Sequence, residues 1–359
     1  MDLDNIEAIK KLDEKKVLIS IETFSDQCLH AFSSTDNIEI PESYKNIKAV
    51  VMCGMGGSGL AARVIESVYA KDIKIPFIRV NDYDIPEFVN EDTLVICSSY
   101  SGETEETLSN FNQAVEKNAK IIVISAGNSL IRMAQEKGIP YYQIDPKYNT
   151  CNQPRMAIGY SVIGQLVMCS KAGLFDFSEN DLETIVKVMK NVSEKINVDI
   201  LSTNNEAKKV AKLMKDKIIF YVSGKHLVGA AHVVNNQTNE NSKAFCTDFT
   251  IPELNHHLME GLTHPVKEGV PLVAFFANSS LYEEKIAKRF AITKEVCEKQ
   301  GVIVYEYVCK GETKIEQAFE LMQFGVYVNF YLSMLYNQNP APIPWVDYFK
   351  EKLGQPLGK

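Results

Sequence analysis

Two strand-like apolar runs, Val50–Cys53 and Thr93–Cys97, each give way to a short turn and then to a helix-like segment, Leu60–Tyr69 and Leu108–Lys117. The first turn is Gly54-Met55-Gly56-Gly57-Ser58-Gly59; the second runs Ser98-Ser99-Tyr100-Ser101-Gly102-Glu103-Thr104. Both turns are expected at the carboxyl ends of parallel strands, where open α/β sheets bind ligands. A helix N-terminus offers unpaired N–H groups and partial positive charge, so it attracts anions. Gly102 lets the backbone approach closely. The second turn contains no Lys or Arg, so an anion there would be held by hydroxyls and amides. Ser and Thr are also ordinary capping residues, and a ligand-free N-cap is the plainer reading of that turn alone. The first turn fits G-x-G-x-x-G literally, with Asp82 or Asp84 available as a ribose-binding acid. A dinucleotide site leaves Ser99, Ser101 and Thr104 unexplained, whereas one pocket for a small phosphorylated ligand uses both turns.

The same alternation continues along the chain. Strands are expected at 75–80, 121–125 and 141–144, helices at 130–137 and, as a long amphipathic segment, 158–172. Residues 174–205 read as a polar helical connection. The theme then repeats, with strands at 217–222, 244–249, 272–276 and 302–305 and helices at 226–236, 281–299 and 315–336. This reads as a diverged internal duplication. The expected organisation is a helical segment at 1–40, a first α/β domain at 41–173, the connection at 174–205, and a second α/β domain with a C-terminal tail at 206–359. Val222-Ser223-Gly224 and Ala277-Asn278-Ser279-Ser280-Leu281 stand where the first half has its two turns, without the full glycine and hydroxyl set. One phosphate site per chain is therefore expected, in the first half.

A net charge of −8 over 359 residues argues against non-specific nucleic-acid binding. The eight cysteines are scattered with no C-x-x-C, which points to reduced thiols in a cytoplasmic protein. Residues 1–16 are charged and have no apolar core of a signal peptide, and no uncharged apolar run is long enough for a membrane span.

Three further segments carry reactive side chains. Glu240 stands in Gln237-Thr238-Asn239-Glu240-Asn241-Ser242-Lys243, with Asn235 and Asn236 just before. Asparagine is a poor helix former, so this frame suggests a positioned carboxylate, the plainer alternative being a solvated helix end. His256, Glu260 and His264 fall at i, i+4 and i+8 between Pro252 and Pro265, so a helical metal stripe is conceivable; His256 is the better acid–base candidate because it titrates near neutral pH. Arg155, in Gln153-Pro154-Arg155, precedes a helix whose N-terminus disfavours positive charge, which suggests an anionic partner rather than an idle surface arginine.

Taken together, the Gly-Met-Gly-Gly-Ser-Gly and Ser-Tyr-Ser-Gly-x-Thr turns and the duplication resemble sugar isomerase (SIS) domains. The Gln-Pro-Arg, Asn-Glu-Asn-Ser-Lys and Pro-Glu-Leu-Asn-His segments narrow the resemblance to the bifunctional phosphoglucose/phosphomannose isomerases of archaea and some bacteria, over about residues 40–352. The resemblance implies two tandem SIS-type α/β subdomains and an aldose–ketose isomerisation through a cis-enediol(ate), with no metal and no redox cofactor. It implies a phosphorylated hexose held by Gly57, Ser58, Ser99, Ser101 and Thr104, and Glu240 as the base between C1 and C2. It further implies His256, from the partner subunit of a homodimer, for ring opening, Arg155 near the enediolate, and Lys350 as a C-terminal catalytic lysine, with Lys352 close by. The helices 158–172 and 324–335 are candidate apolar subunit surfaces or, equally, internal core between the halves. Glu103 stands where many members have Asn, and a carboxylate there is compatible with phosphate only if it points away. Asn339 and Ala341 also depart from the family's tail. A non-catalytic sugar-phosphate sensor on the same fold is the alternative function, but it leaves Glu240 and His256 unexplained.

Overall fold

The computed structural model describes residues 1–354; residues 355–359 of the expected second domain lie outside the described residues. Its contacts divide the chain into two compact units, one containing Thr23–Leu182 and the segment from Ile343, the other containing Met1–Glu22 and Glu183–Pro342.

The first unit holds a parallel sheet of β1 (Ala49–Cys53), β2 (Phe77–Val80), β3 (Thr93–Ser99), β4 (Lys120–Ser125) and β5 (Tyr141–Gln143), in the order β2-β1-β3-β4-β5. β1 and β3 are buried throughout, as strands covered by helices on both faces must be. One face packs Val51, Cys53, Val95 and Cys97 against Phe111, Ala114, Leu130 and Ile131. The chain leaves β1 towards β2 and leaves β3 towards β4, so the crevice between the carboxyl ends of β1 and β3 is the topological switch point of the sheet.

The second unit repeats the theme with β6 (Ile218–Gly224), β7 (Cys246–Ile251), β8 (Leu272–Ser279) and β9 (Ile303–Cys309), all parallel, in the order β7-β6-β8-β9. It has no counterpart of β5 among the described residues. Its switch point lies between β6 and β8.

Two helices differ from the expectation. Ile158–Lys171 is not amphipathic: every residue from Ile158 to Cys169 is buried. A helix apolar all round is a central element, not a surface one. Gly159 makes this possible, since a Cβ there would lie 2.6 Å from the Gln27 Cβ of the neighbouring helix Phe24–Thr35. Lys314–Leu335 is likewise buried from Ile315 to Met334. Neither helix offers the apolar subunit surface suggested by its sequence; both are occupied within the single chain.

No helix of the described residues is long and apolar enough to cross a membrane. All eight cysteines are buried free thiols.

Candidate active site

The two glycine- and hydroxyl-rich turns meet at the first switch point. After β1 the chain makes one tight helical turn, Gly56–Ser58, and enters the helix Leu60–Val68. After β3 it passes through Gly102, at φ +71°, into the helix Glu105–Glu116. A Cβ on Gly102 would overlap the Gly127 carbonyl oxygen, so this turn tolerates only glycine. The Ser58 hydroxyl accepts the Tyr100 N–H at 2.8 Å, joining the turns. The Ser99 hydroxyl lies 2.8 Å from that of Thr104 and 3.4 Å from that of Ser101, and accepts the Gly102 N–H at 3.1 Å. Thr104 is the N-cap of the helix Glu105–Glu116 but makes no capping bond with its own side chain. Ser58, Ser99, Ser101 and Thr104 are thus brought together at a helix N-terminus.

Glu103 points away from this cluster. Its Oε1 accepts the Ser129 N–H at 2.8 Å, in the first turn of the helix Asn128–Glu136. Its charge therefore serves another helix N-terminus, and the condition for a carboxylate beside a phosphate site is met.

The Gln153-Pro154-Arg155 turn closes the third side. A Cβ on Gly57 would lie 3.0 Å from the Pro154 carbonyl and 3.1 Å from the Arg155 nitrogen, so glycine lets the two backbones touch. On the other flank, Asn149 Nδ2 donates to the Tyr100 hydroxyl at 3.1 Å and to the Gln153 carbonyl at 3.0 Å, and the Tyr100 hydroxyl donates to Asn152 Oδ1 at 3.2 Å. Arg155 is 1% exposed, and its Nη1 donates to Gln153 Oε1 at 2.9 Å. A cation buried beside an anion-seeking loop pair is an arrangement suited to a phosphate or an oxyanion.

The second switch point is filled. His226 Nε2 lies 2.9 Å from Gln317 Oε1, which also accepts from Ser279 at the end of β8. Gln317 Nε2 donates to Ser280 Oγ at 3.0 Å and to the Gly311 carbonyl at 2.9 Å. With the amide so oriented, His226 Nε2 carries the proton. Burial pushes the His226 pKa down, while the Gln317 bond opposes the shift and Lys314 adds to it. Below about pH 6.5 the unfolded chain binds a proton that the folded chain resists, so folding stability falls as pH drops from 7 towards 5. His226→Gln is expected to flatten that part of a plot of Tm against pH.

Glu240 lies in the second unit. It sits in the π-helical turn Thr238–Ser242, which follows the helix Val228–Gln237 and leads into β7. Such turns recur at functional sites. The surrounding polar residues pin the turn. Asn239 Nδ2 donates to the Asn235 and Cys246 carbonyls, Asn241 donates to Asn329 Oδ1 at 2.9 Å, and Ser242 donates to the Asn329 carbonyl at 2.7 Å. Lys243, at φ +51°, donates to the carbonyls of Asn241, Asn339 and Pro340. The asparagines fix the backbone that carries Glu240. Asn339 is itself engaged locally, accepting the Ala341 N–H at 3.0 Å.

His256 lies beyond the other end of β7 and is exposed. Its segment is not one helix: a short turn at Glu253–His256 is followed by separate helical turns at Leu258–Gly261 and Thr263–Lys267, with His257 out of helical geometry at φ −146°, ψ −45° between the first two. His256, Glu260 and His264 therefore do not form the helical stripe their spacing allowed. β7 has six residues, about 20 Å of strand. Within one chain Glu240 and His256 thus stand at opposite ends of that strand.

Lys350 and Lys352 are on the helix Pro344–Leu353 of the first unit. Lys352 Nζ lies 5.5 Å over the Tyr348 ring and is exposed, whereas Lys350 is half-buried. The same helix exposes Trp345, Tyr348, Phe349 and Leu353.

Residues 43–163 match a model of the SIS domain, and residues 203–353 match one of the bacterial phospho-glucose isomerase C-terminal SIS domain. A bifunctional phosphoglucose/phosphomannose isomerase from Caldicellulosiruptor bescii is 32% identical over 342 residues, covering 94% of this chain and 98% of that protein. The chain belongs to the bifunctional phosphoglucose/phosphomannose isomerase family. A member from Aquifex aeolicus is 29% identical, covering 88% of this chain and 93% of that one. The fold is shared with a hypothetical protein from Thermus thermophilus, at a TM-score of 0.74 and 16% identity over 97% of this chain and 93% of that one.

In this member of the family, several residues that build the pocket carry no motif signal. Asn149 and Asn152 lie in a polar stretch, and Gln165 stands inside an apolar helix. A lone glutamine in a helix buried all round is a signal that could have been read, because a buried amide must find partners.

Proposed function

We propose that this chain interconverts glucose 6-phosphate and/or mannose 6-phosphate with fructose 6-phosphate through a cis-enediol(ate), without a metal or redox cofactor. The observation that carries this reading is the meeting of Ser58, Ser99, Ser101, Thr104 and the buried Arg155 at one switch point, in a chain of this family. The phosphate binds to the hydroxyls and to the N–H groups of the helix Glu105–Glu116, which fixes the far end of the sugar. In the aldose, the Glu240 carboxylate takes the proton from C2. The C–H electrons form the C1=C2 bond and the O1 carbonyl becomes an oxyanion, stabilised by Arg155. A proton then passes from O2 to O1, the C2=O bond forms as the C1=C2 electrons take the proton back from Glu240 at C1, and the ketose results. His256 acts earlier, moving a proton between the anomeric hydroxyl and the ring oxygen, and Lys350 serves as a further catalytic lysine.

The separation of Glu240 and His256 along β7 supports a homodimer in which each site takes His256 from the other chain. The exposed aromatic residues of the helix Pro344–Leu353 are compatible with such an assembly.

A coupled assay of the purified, EDTA-treated protein on all three sugar phosphates tests the reading. Turnover is expected to survive chelation; loss with recovery on added Zn²⁺ or Mn²⁺ would contradict it. Ser99→Asp places a negative charge in the phosphate cluster and should raise KM far more than Ser101→Ala, which removes one donor. An unchanged KM in folded Ser99→Asp would move the phosphate elsewhere.

A further inference from the structure

Gln165 is 1% exposed, and its side-chain Nε2 reaches acceptors on both sides of the switch point. It lies 3.3 Å from the Ser58 carbonyl, 3.1 Å from Ser98 Oγ and 3.3 Å from Ser161 Oγ. Ser58 belongs to the turn after β1, Ser98 to the end of β3, and Ser161 to the helix of Gln165 itself. The two amide protons are therefore shared among three acceptors, two of which belong to the turns that form the phosphate cluster. The bond from the Tyr100 N–H to Ser58 Oγ ties the same two turns directly, on the ligand side of the strands.

We infer that Gln165 is a positioning residue: it fixes the gap between the two turns, and so the affinity for the phosphate group, without touching the substrate. This rests on the isomerase reading only for the identity of the phosphorylated ligand. The helix Ile158–Lys171 is the rigid body from which the gap is set, since its residues from Ile158 to Cys169 are buried. Loss of the amide donors would leave the turns tied through Tyr100 and Ser58 but no longer held to this helix. The phosphate end is remote from C1 and C2, and binding there is the same in substrate and transition state. The loss therefore falls on KM and not on kcat.

The test uses Gln165→Met, which keeps the length and removes both donors, and Ser98→Ala, which removes one acceptor. Affinity for inorganic phosphate is measured by calorimetry, and KM and kcat are measured on fructose 6-phosphate. Gln165→Met is expected to raise both KM and the Kd for phosphate by about tenfold. Its kcat should stay within about twofold of wild type. Ser98→Ala should raise the same two constants by a smaller factor. The double variant should fall short of the product of the two, because both changes break one bond. Unchanged KM and phosphate Kd in folded Gln165→Met, or a fall in kcat at constant KM, would overturn the inference. If Gln165→Met does not fold, Ser98→Ala decides alone, and unchanged constants there overturn it equally. A wild-type protein that fails to turn over fructose 6-phosphate would sink the isomerase reading, while phosphate calorimetry would still test Gln165.

Discussion

Glu240→Gln is expected to lower kcat by about 10²–10⁴ while leaving phosphate affinity near wild type. Glutamine keeps the shape of the side chain but cannot accept a proton from carbon. The turn that carries it should survive the change, because it is held by Asn239, Asn241, Ser242 and Lys243. The Kd for inorganic phosphate is read on the same preparation and separates lost chemistry from lost folding. Near-normal turnover in this variant would make Glu240 structural and would remove the base from the mechanism.

The second large effect is expected from mixing subunits. His256→Ala should slow reaction of the cyclic sugar more than that of open-chain substrate, because its proposed task is ring opening. If His256 serves the site of the other chain, exchanging subunits between Glu240→Gln and His256→Ala proteins creates dimers with one intact site. Random reassortment of equal amounts should then recover about one quarter of wild-type activity, since half the dimers are mixed and each has one working site. Activity no greater than the sum of the two parents, with mixed dimers demonstrated, would place both residues in one chain. The six-residue strand between their two segments argues against that outcome.

Much of the fold was legible because its signals are local. Glycine at 102, the apolar runs before each turn and the hydroxyls after them mark β1, β3 and their junctions. These elements appear with small boundary shifts, such as β3 extending to Ser99. The helix Ile158–Lys171 was misread because an apolar–polar rhythm is suggested by Ser161, Gln165 and Ser170, yet the first two of these are buried polar residues. The segment after Pro252 was misread for a different reason. The spacing of His256, Glu260 and His264 is helical, but the non-helical φ of −146° at His257 divides it. The site follows the same division. Ser58, Ser99, Ser101 and Thr104 were visible as a motif, whereas Gln165, Asn149 and the capping task of Glu103 depend on contacts between distant segments. The lone glutamine in an apolar segment signals a need for partners, but no local pattern names them.

The most direct test follows the proton. Fructose 6-phosphate is incubated in D₂O with the purified protein and observed by NMR. Proton transfer through an enediol(ate) predicts the appearance of glucose 6-phosphate, mannose 6-phosphate or both, carrying deuterium at C2, with the rate of incorporation sharply reduced in Glu240→Gln. Unchanged fructose 6-phosphate with no deuterium in any carbon-bound position would contradict the proposed reaction.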